Sequence, residues 1–249
     1  MIHVVIWGAG GRMGKRLIKQ IQQAPDMTLA GAIEADGHPG VFQDAGHYHH
    51  LPQTGVLLTK ECDAPPDVSP GIVLDFSLSG GVEKACDWAT KNRWAVISGS
   101  TDLSDNGRIA LKAASETVPV MYAPNFSIGI TLLLKLVAQA AAALPESFDA
   151  MIIETHHSEK KDRPSGTARA FEQRLKDHGP KRRIETVGLR GGMIFGEHTI
   201  RLVSPMEDIT ITHRALDRDV FASGTLEATR WLVRRQPGLY SFSDMLELA

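Results

Sequence analysis

Apolar and polar positions follow two rhythms along this chain. In the first half, short apolar runs at residues 3–7, 28–33, 71–76, 94–97 and 118–122 read as buried strands. Between them, residues 15–23, 82–91 and 106–116 carry apolar side chains at helical spacing, with Leu17, Ile18 and Ile21 on one face. Strands separated by helices of this length predict right-handed crossovers and a parallel, doubly wound sheet. The second half begins with a long apolar helix at residues 128–144, then a strand at 150–154 and a helix at 166–178. Three β-rich segments near 186–189, 198–203 and 208–212 follow, and a helix at 220–235 comes last. The alternation of Ile200 with Leu202 and of Ile209 with Ile211 predicts an antiparallel sheet packed on one face. The pattern therefore predicts an α/β protein: a Rossmann-like doubly wound sheet plus a smaller α+β domain with a mixed or antiparallel sheet.

Composition narrows the partners. Among 249 residues, 27 Lys+Arg stand against 29 Asp+Glu, a formal net charge of −2, which argues against a general nucleic-acid or membrane-surface binder. Two cysteines, Cys62 and Cys86, exclude a disulfide scaffold or a Cys-rich zinc module and suit a reducing compartment. The start of the chain lacks a basic leader pattern, and the longest apolar stretch is broken by Lys135 and Gln139, so the expectation is a cytoplasmic protein. The 23 glycines exceed the roughly 17 that average usage predicts.

Four of those glycines lie in residues 8–14, between the first strand and the first helix. Gly8, Gly11 and Gly14 let the backbone turn tightly and approach a pyrophosphate at a helix N-terminus, although the strict G-x-G-x-x-G pattern fails at Met13. A tight strand–helix turn is the plainer alternative. Glu34 stands about 20 residues further on, where a dinucleotide site places an acid on the ribose hydroxyls. A glutamate repels a 2′-phosphate and the next residue is Ala35, so NADH is the expected coenzyme, with Arg12 leaving NADPH open.

A second chemical segment runs from Glu154 to Ala168 as ETHHSEKKDRPSGTA. His156 and Lys160 can supply a proton and a fixed cation at one site. Pro164, Ser165, Gly166 and Thr167 look like a helix N-terminus able to take a carboxylate. Composition alone favours a solvated charged loop with a Ser or Thr cap. A metal site is not expected, because adjacent histidines point opposite ways on a strand and no third ligand is near. The stretch 36–53, with His38, His47, His49 and His50, reads as a flexible loop without an assigned role.

These segments, with Asp75-Phe76-Ser77, residues 123–129 (APNFSIG), Arg190-Gly191-Gly192, Gly196-Glu197-His198-Thr199, and Thr212-His213-Arg214-Ala215 followed by Arg218, closely resemble the 4-hydroxy-tetrahydrodipicolinate reductase (dihydrodipicolinate reductase) family of lysine and diaminopimelate biosynthesis. The motifs come in family order and span nearly the whole chain. The resemblance implies His156 as proton donor and Lys160 as the second catalytic cation. It implies that His157, Ser165, Gly166, Thr167 and Thr101 hold the substrate. It implies a dinucleotide site of Gly8, Gly11, Arg12, Met13, Gly14, Glu34, Phe76, Gly99, Thr101, Ala123, Asn125, Phe126 and Arg218. It also implies domains at 1–124 with 217–249 (dinucleotide) and 125–216 (substrate and assembly), a homotetramer built on the second sheet, and a small dicarboxylate substrate. The sequence departs from the family at Ser100 and Asp102 in the loop after Gly99, at Leu78 and Ser79, and at Ala35, where many members carry Arg. Two rival readings are a related dehydrogenase acting on an amino acid such as aspartate, and a silent dinucleotide sensor. Two carboxylate-binding elements argue against the first, and the intact His156 and Lys160 against the second.

Overall fold

Strand residues of alternating parity face opposite sides of a sheet, and the first half of the chain uses both sides. In the computed structural model, which describes residues 1–64, 69–78, 80–101 and 103–246, strand β1 (Ile2–Trp7) sends Val4 and Ile6 to one face and Val5 and Trp7 to the other. Helices α1 (Arg12–Gln23) and α7 (Asp219–Leu232) cover the first face through Leu17, Ile18, Ile21, Ala222 and Leu226. Helices α3 (Gly81–Asn92) and α4 (Asp105–Ala114) cover the second through Val82, Ala85, Ala89 and Leu111.

The remaining strands of this sheet are β2 (Met27–Ile33), β3 (Leu58–Thr59), β4 (Gly71–Asp75), β5 (Ala95–Ser98), β6 (Pro119–Tyr122) and β11 (Gly238–Ser241). All pair in parallel, in the order β11-β6-β5-β4-β1-β2-β3. The chain runs outward from β1 in both directions, so the carboxyl ends of β1 and β4 form a topological switch point, where such sheets bind ligands. The predicted strands match to within one or two residues. Strands β3 and β11 were not expected, because two and four residues are too short to show a period. Helix α1 begins three residues earlier than the apolar spacing suggests, since its first turn holds a single apolar side chain, Met13, between Arg12 and Gly14.

In the second half, β7 (Asp149–His156), β8 (Ile184–Arg190), β9 (Glu197–Val203) and β10 (Asp208–Arg214) form a four-stranded sheet in the order β10-β9-β7-β8. The expectation of an antiparallel arrangement holds for β7, β9 and β10 but not for β8, which pairs in parallel with β7. The reason is α6 (Gly166–Asp177), which lies between β7 and β8 as a crossover and returns the chain in the same direction. Helices α5 (Ile128–Ala143) and α6 cover one face, packing Val137, Phe171 and Leu175 against Ile152, Ile200 and Leu202. The other face carries exposed Met151, Val187 and Leu189.

The chain divides into two compact units: Met1–Phe126 with a return segment beginning at Phe221, and Ser127–Val220. The divisions fall two and four residues beyond those implied by the resemblance. Among the described residues, no helix is long and apolar enough to cross a membrane.

Candidate functional site

In the first unit, the site grows from the turn after β1. Gly8 takes φ +80°, and a Cβ there would stand 2.7 Å from the Phe76 carbonyl, so the position demands glycine. Its amide and that of Ala9 donate to the Ile33 carbonyl at 2.9 and 3.0 Å. Gly14 packs so closely that a Cβ would meet the Ala9 carbonyl at 2.2 Å. Helix α1 has Gly11 as its N-cap, with no side-chain cap and no acidic residue in its first turn. Its end therefore offers amides and a positive dipole, with Arg12 exposed beside it. Glu34 is joined to this turn: Gly10 N–H donates to Oε2 at 2.8 Å and Ala35 N–H to Oε1 at 2.8 Å. The bare backbone, free helix end and acid at the second strand fit a dinucleotide.

Beside it, at the ends of β4 and β5, Asp75 is fully buried and accepts from Ser98 Oγ at 2.8 Å, Ser100 Oγ at 3.0 Å, and both the amide and hydroxyl of Ser77. Burial pushes its carboxyl up more than these donors pull it down. Ser100, a departure from the family, thus keeps the hydroxyl that Asp75 uses. Gly99 donates to the Asp75 carbonyl at 2.8 Å, and a Cβ on Gly99 would fall 2.1 Å from the Phe76 ring. The Phe76 ring lies 5.8 Å from that of Phe126 at a tilt of 58°, and Phe126 is almost fully buried with Phe242 edge-on to it at 5.0 Å. Ala123 is buried with its amide on the Ser98 carbonyl at 3.2 Å, Asn125 lies between Ala123 and Phe126 in the chain, and Thr101 is exposed. The departures at Ser79 and Asp102 lie outside the described residues, while Leu78 is 90% exposed. The stretch 36–53 contradicts the flexible-loop expectation: α2 (Ala45–Tyr48) forms within it, and Asp44 ties it together by accepting from His47, Thr54 and Gly55. Among the described residues, no group of three or more His, Cys, Asp or Glu gathers to hold a metal.

In the second unit, the site lies at the carboxyl end of β7. Glu154 and His156 are two apart and share one face of the strand. His156 Nδ1 donates to Glu154 Oε2, which fixes the ring. Glu154 is fully buried and also accepts from Ser165 N at 3.1 Å and from Arg190 at 3.0 and 2.8 Å. Burial raises the Glu154 carboxyl, but the Arg190 fork and His156 outweigh it and hold it below its ordinary value. His156 is shifted down: burial dominates, Glu154 opposes it, and Lys160 and Arg190 add to it. Its Nε2 faces Gly196, where a Cβ would stand 3.1 Å away at a φ of +150°. A side chain at that position would crowd the nitrogen.

Lys160 Nζ meets Asp162 Oδ1 at 2.7 Å. Burial works against the charge on Asp162, but Lys160 and nearby amides, including that of Gly166, hold its carboxyl below the usual range. Ser165 caps α6 by accepting from Ala168 N at 3.2 Å, and its hydroxyl also bonds His198 Nε2 at 3.3 Å. Gly166 opens on empty space, Thr167 follows in the first turn, and His157 is half-buried beyond the strand end. Arg218 lies over the Phe195 ring at 5.8 Å, within the second unit.

Three participants escaped sequence reasoning. Glu154 had a signal, the i, i+2 spacing from His156. Arg190 stood in the Arg190-Gly191-Gly192 motif without a role, because only the β7–β8 register sets it opposite His156. His198, edge-on to His156 at 5.2 Å, comes from β9 and is pushed down by burial to about 4.

Against known proteins, residues 2–126 match the family model described as dihydrodipicolinate reductase, N-terminus, and residues 129–246 match dihydrodipicolinate reductase, C-terminus. The chain is 35% identical to the 4-hydroxy-tetrahydrodipicolinate reductase of Geotalea daltonii over the whole of both proteins. It is 37% identical to that of Alkalilimnicola ehrlichii over 99% of each. The fold matches that of a dipicolinate-bound dihydrodipicolinate reductase from Paenisporosarcina sp. TG-14 with a TM-score of 0.76, at 22% identity and 97% coverage of both chains.

Proposed function

The chain belongs to the dihydrodipicolinate reductase family, and from that premise we propose that it reduces 4-hydroxy-tetrahydrodipicolinate to tetrahydrodipicolinate with a nicotinamide dinucleotide, using His156 as the proton donor. The carrying observation is the buried Glu154–His156 pair beside Lys160 and the α6 N-terminus.

The 4-hydroxyl leaves as water with a neighbouring ring proton, opening a carbon–carbon double bond, and a reduced nicotinamide held in the first unit would supply the hydride to that ring carbon. The protein's own part is positioning and proton supply. Glu154 holds His156 Nδ1, so an incoming proton resides on Nε2, which gives it to the substrate atom next to the reduced carbon. Lys160, Ser165, Gly166 and Thr167 hold the substrate's carboxylates, with His157 and Thr101 as further contacts. Support for a carboxylate here comes from Asp162, which already sits on Lys160 as a carboxylate of the protein's own.

Gly8, Gly11, Arg12, Met13 and Gly14 hold the pyrophosphate, and Glu34 the adenosine ribose. Phe76, Gly99, Thr101, Ala123, Asn125 and Phe126 build the nicotinamide side, and Arg218 is a further coenzyme contact. Glu34 followed by Ala35 favours NADH, with NADPH as the second coenzyme. The first unit then binds the dinucleotide, and the second binds substrate and builds a homotetramer. Exposed Met151, Val187 and Leu189 on the open face of the second sheet give a second copy an apolar surface to cover. The two free cysteines fit a reducing cytoplasm.

A steady-state assay of NADH and NADPH oxidation, with substrate generated in situ by the preceding synthase, tests this directly. Oxidation dependent on synthase product is expected. Its absence with both coenzymes would overturn the assignment.

A further inference from the structure

The proposed reaction leaves the histidines of residues 36–53 unused, yet two of them pack onto the glycine turn. Buried His49 donates from Nε2 to the Ala9 carbonyl at 2.7 Å. The ring of His38 lies on Gly10: a Cβ there would stand 2.4 Å from His38 Cε1, 2.8 Å from Nε2 and 2.9 Å from Glu34 Oε2. Only a glycine admits the ring at that place. Tyr48 stands between the two histidines, edge-on to His38 at 5.3 Å and to His49 at 4.9 Å. Gly40 N–H donates to His38 Nδ1 at 3.2 Å, so the neutral ring carries its proton on Nε2, 3.4 Å from Tyr48 Oη.

We propose that His38 is a specificity-determining residue for the adenosine end of the coenzyme, filling the space beside Glu34 that a 2′-phosphate would need and so favouring NADH over NADPH. This rests on the reading of Glu34 as the ribose acceptor. Three features carry it. Glu34 is held as an acceptor by the amides of Gly10 and Ala35, which aims its charge at the turn. His38 Nδ1 accepts from the Gly40 amide, so that nitrogen has no proton to give a phosphate. The cation that follows β3, Lys60, is taken by Asp36 at 2.5 Å. A ribose hydroxyl can donate to Glu34 within such a site. A phosphate would need both room and counter-charge.

Isothermal titration of the full chain with NADH and with NADPH tests the proposal, comparing wild type, His38→Ala and His38→Arg. Wild type should bind NADH more tightly. His38→Ala should move the affinity ratio by about tenfold toward NADPH, and His38→Arg further, by adding charge as well as removing the ring. In the coenzyme-free protein, the Gly10 amide resonance should shift in His38→Ala, reporting loss of the ring without any activity measurement. A ratio within about twofold of wild type in both variants overturns the proposal, as does an unmoved Gly10 resonance or a wild type that prefers NADPH. Failure of wild type to bind either coenzyme removes the dinucleotide reading itself, and this proposal with it.

Discussion

Arg190 grips Glu154 with both terminal guanidinium nitrogens, at 3.0 and 2.8 Å, while the same carboxylate holds His156. The pair is nearly sealed from water, with side-chain exposures of 12% and 0%. Breaking such a pair leaves an uncompensated buried charge, at a cost of about 3–5 kcal/mol. Arg190→Ala should lower the unfolding free energy by about that amount in urea titration. A loss below about 1 kcal/mol would mean that water or another cation takes over the site.

His156 should govern the pH–rate profile. In the role proposed for it the protonated form is the donor, and burial holds its titration below the ordinary histidine value of 6.5. The profile of kcat/KM should therefore fall as pH rises, with a midpoint on the acid side of 6.5. Glu154 favours the charged ring, so Glu154→Gln should move that limb further toward acid. His156→Ala should cut kcat by about 10²-fold or more while leaving coenzyme affinity near wild type. A wild-type rate in that variant would remove His156 from the chemistry.

His198 sets a limit on acid stability. Its value falls from 6.5 to about 4 on folding, chiefly through burial. Below pH 6.5 the unfolded chain binds a proton that the folded chain refuses, so the stabilisation is complete above 6.5 and is lost as pH falls toward 4. The size is roughly 3 kcal/mol. His49, His156 and His213 are shifted in the same direction and add to the slope. Denaturant titrations between pH 7 and 4.5 should show this decline, and His198→Gln should flatten it. An unchanged slope in the variant would place the pH dependence elsewhere.

Asp162 should compete with anionic ligands for Lys160. The two are 2.7 Å apart and both are partly exposed, so the pair is worth under about 1 kcal/mol. With the dicarboxylate substrate held as proposed, Asp162→Asn should therefore tighten its binding by about two- to fivefold, and Lys160→Ala should weaken it by about tenfold or more. Calorimetric titration of both variants reads this, and weaker binding in Asp162→Asn would show that the carboxylate assists the ligand instead.

Much of this site is written in local spacing. The turn at residues 8–14 can be read because a strand period of two gives way there to a helical period, with glycines at the change. Glu34 follows from the length of one β-α-β unit, and Ser165 from the cap that opens α6. The run from Glu154 to Thr167 keeps its chemical residues within about a dozen positions, so its motif survives as a string. Only the tertiary structure decided what those residues rest on. Arg190 reaches Glu154 because β8 pairs in parallel with β7, a register set by contacts far apart in sequence. His38 reaches Gly10 because Asp44 and Tyr48 fold an aperiodic, polar stretch back onto the glycine turn. The slight glycine excess of the composition has the same explanation. At Gly8, Gly10 and Gly196, a Cβ would collide with or crowd a distant carbonyl or ring, and such collisions exist only once the chain has folded.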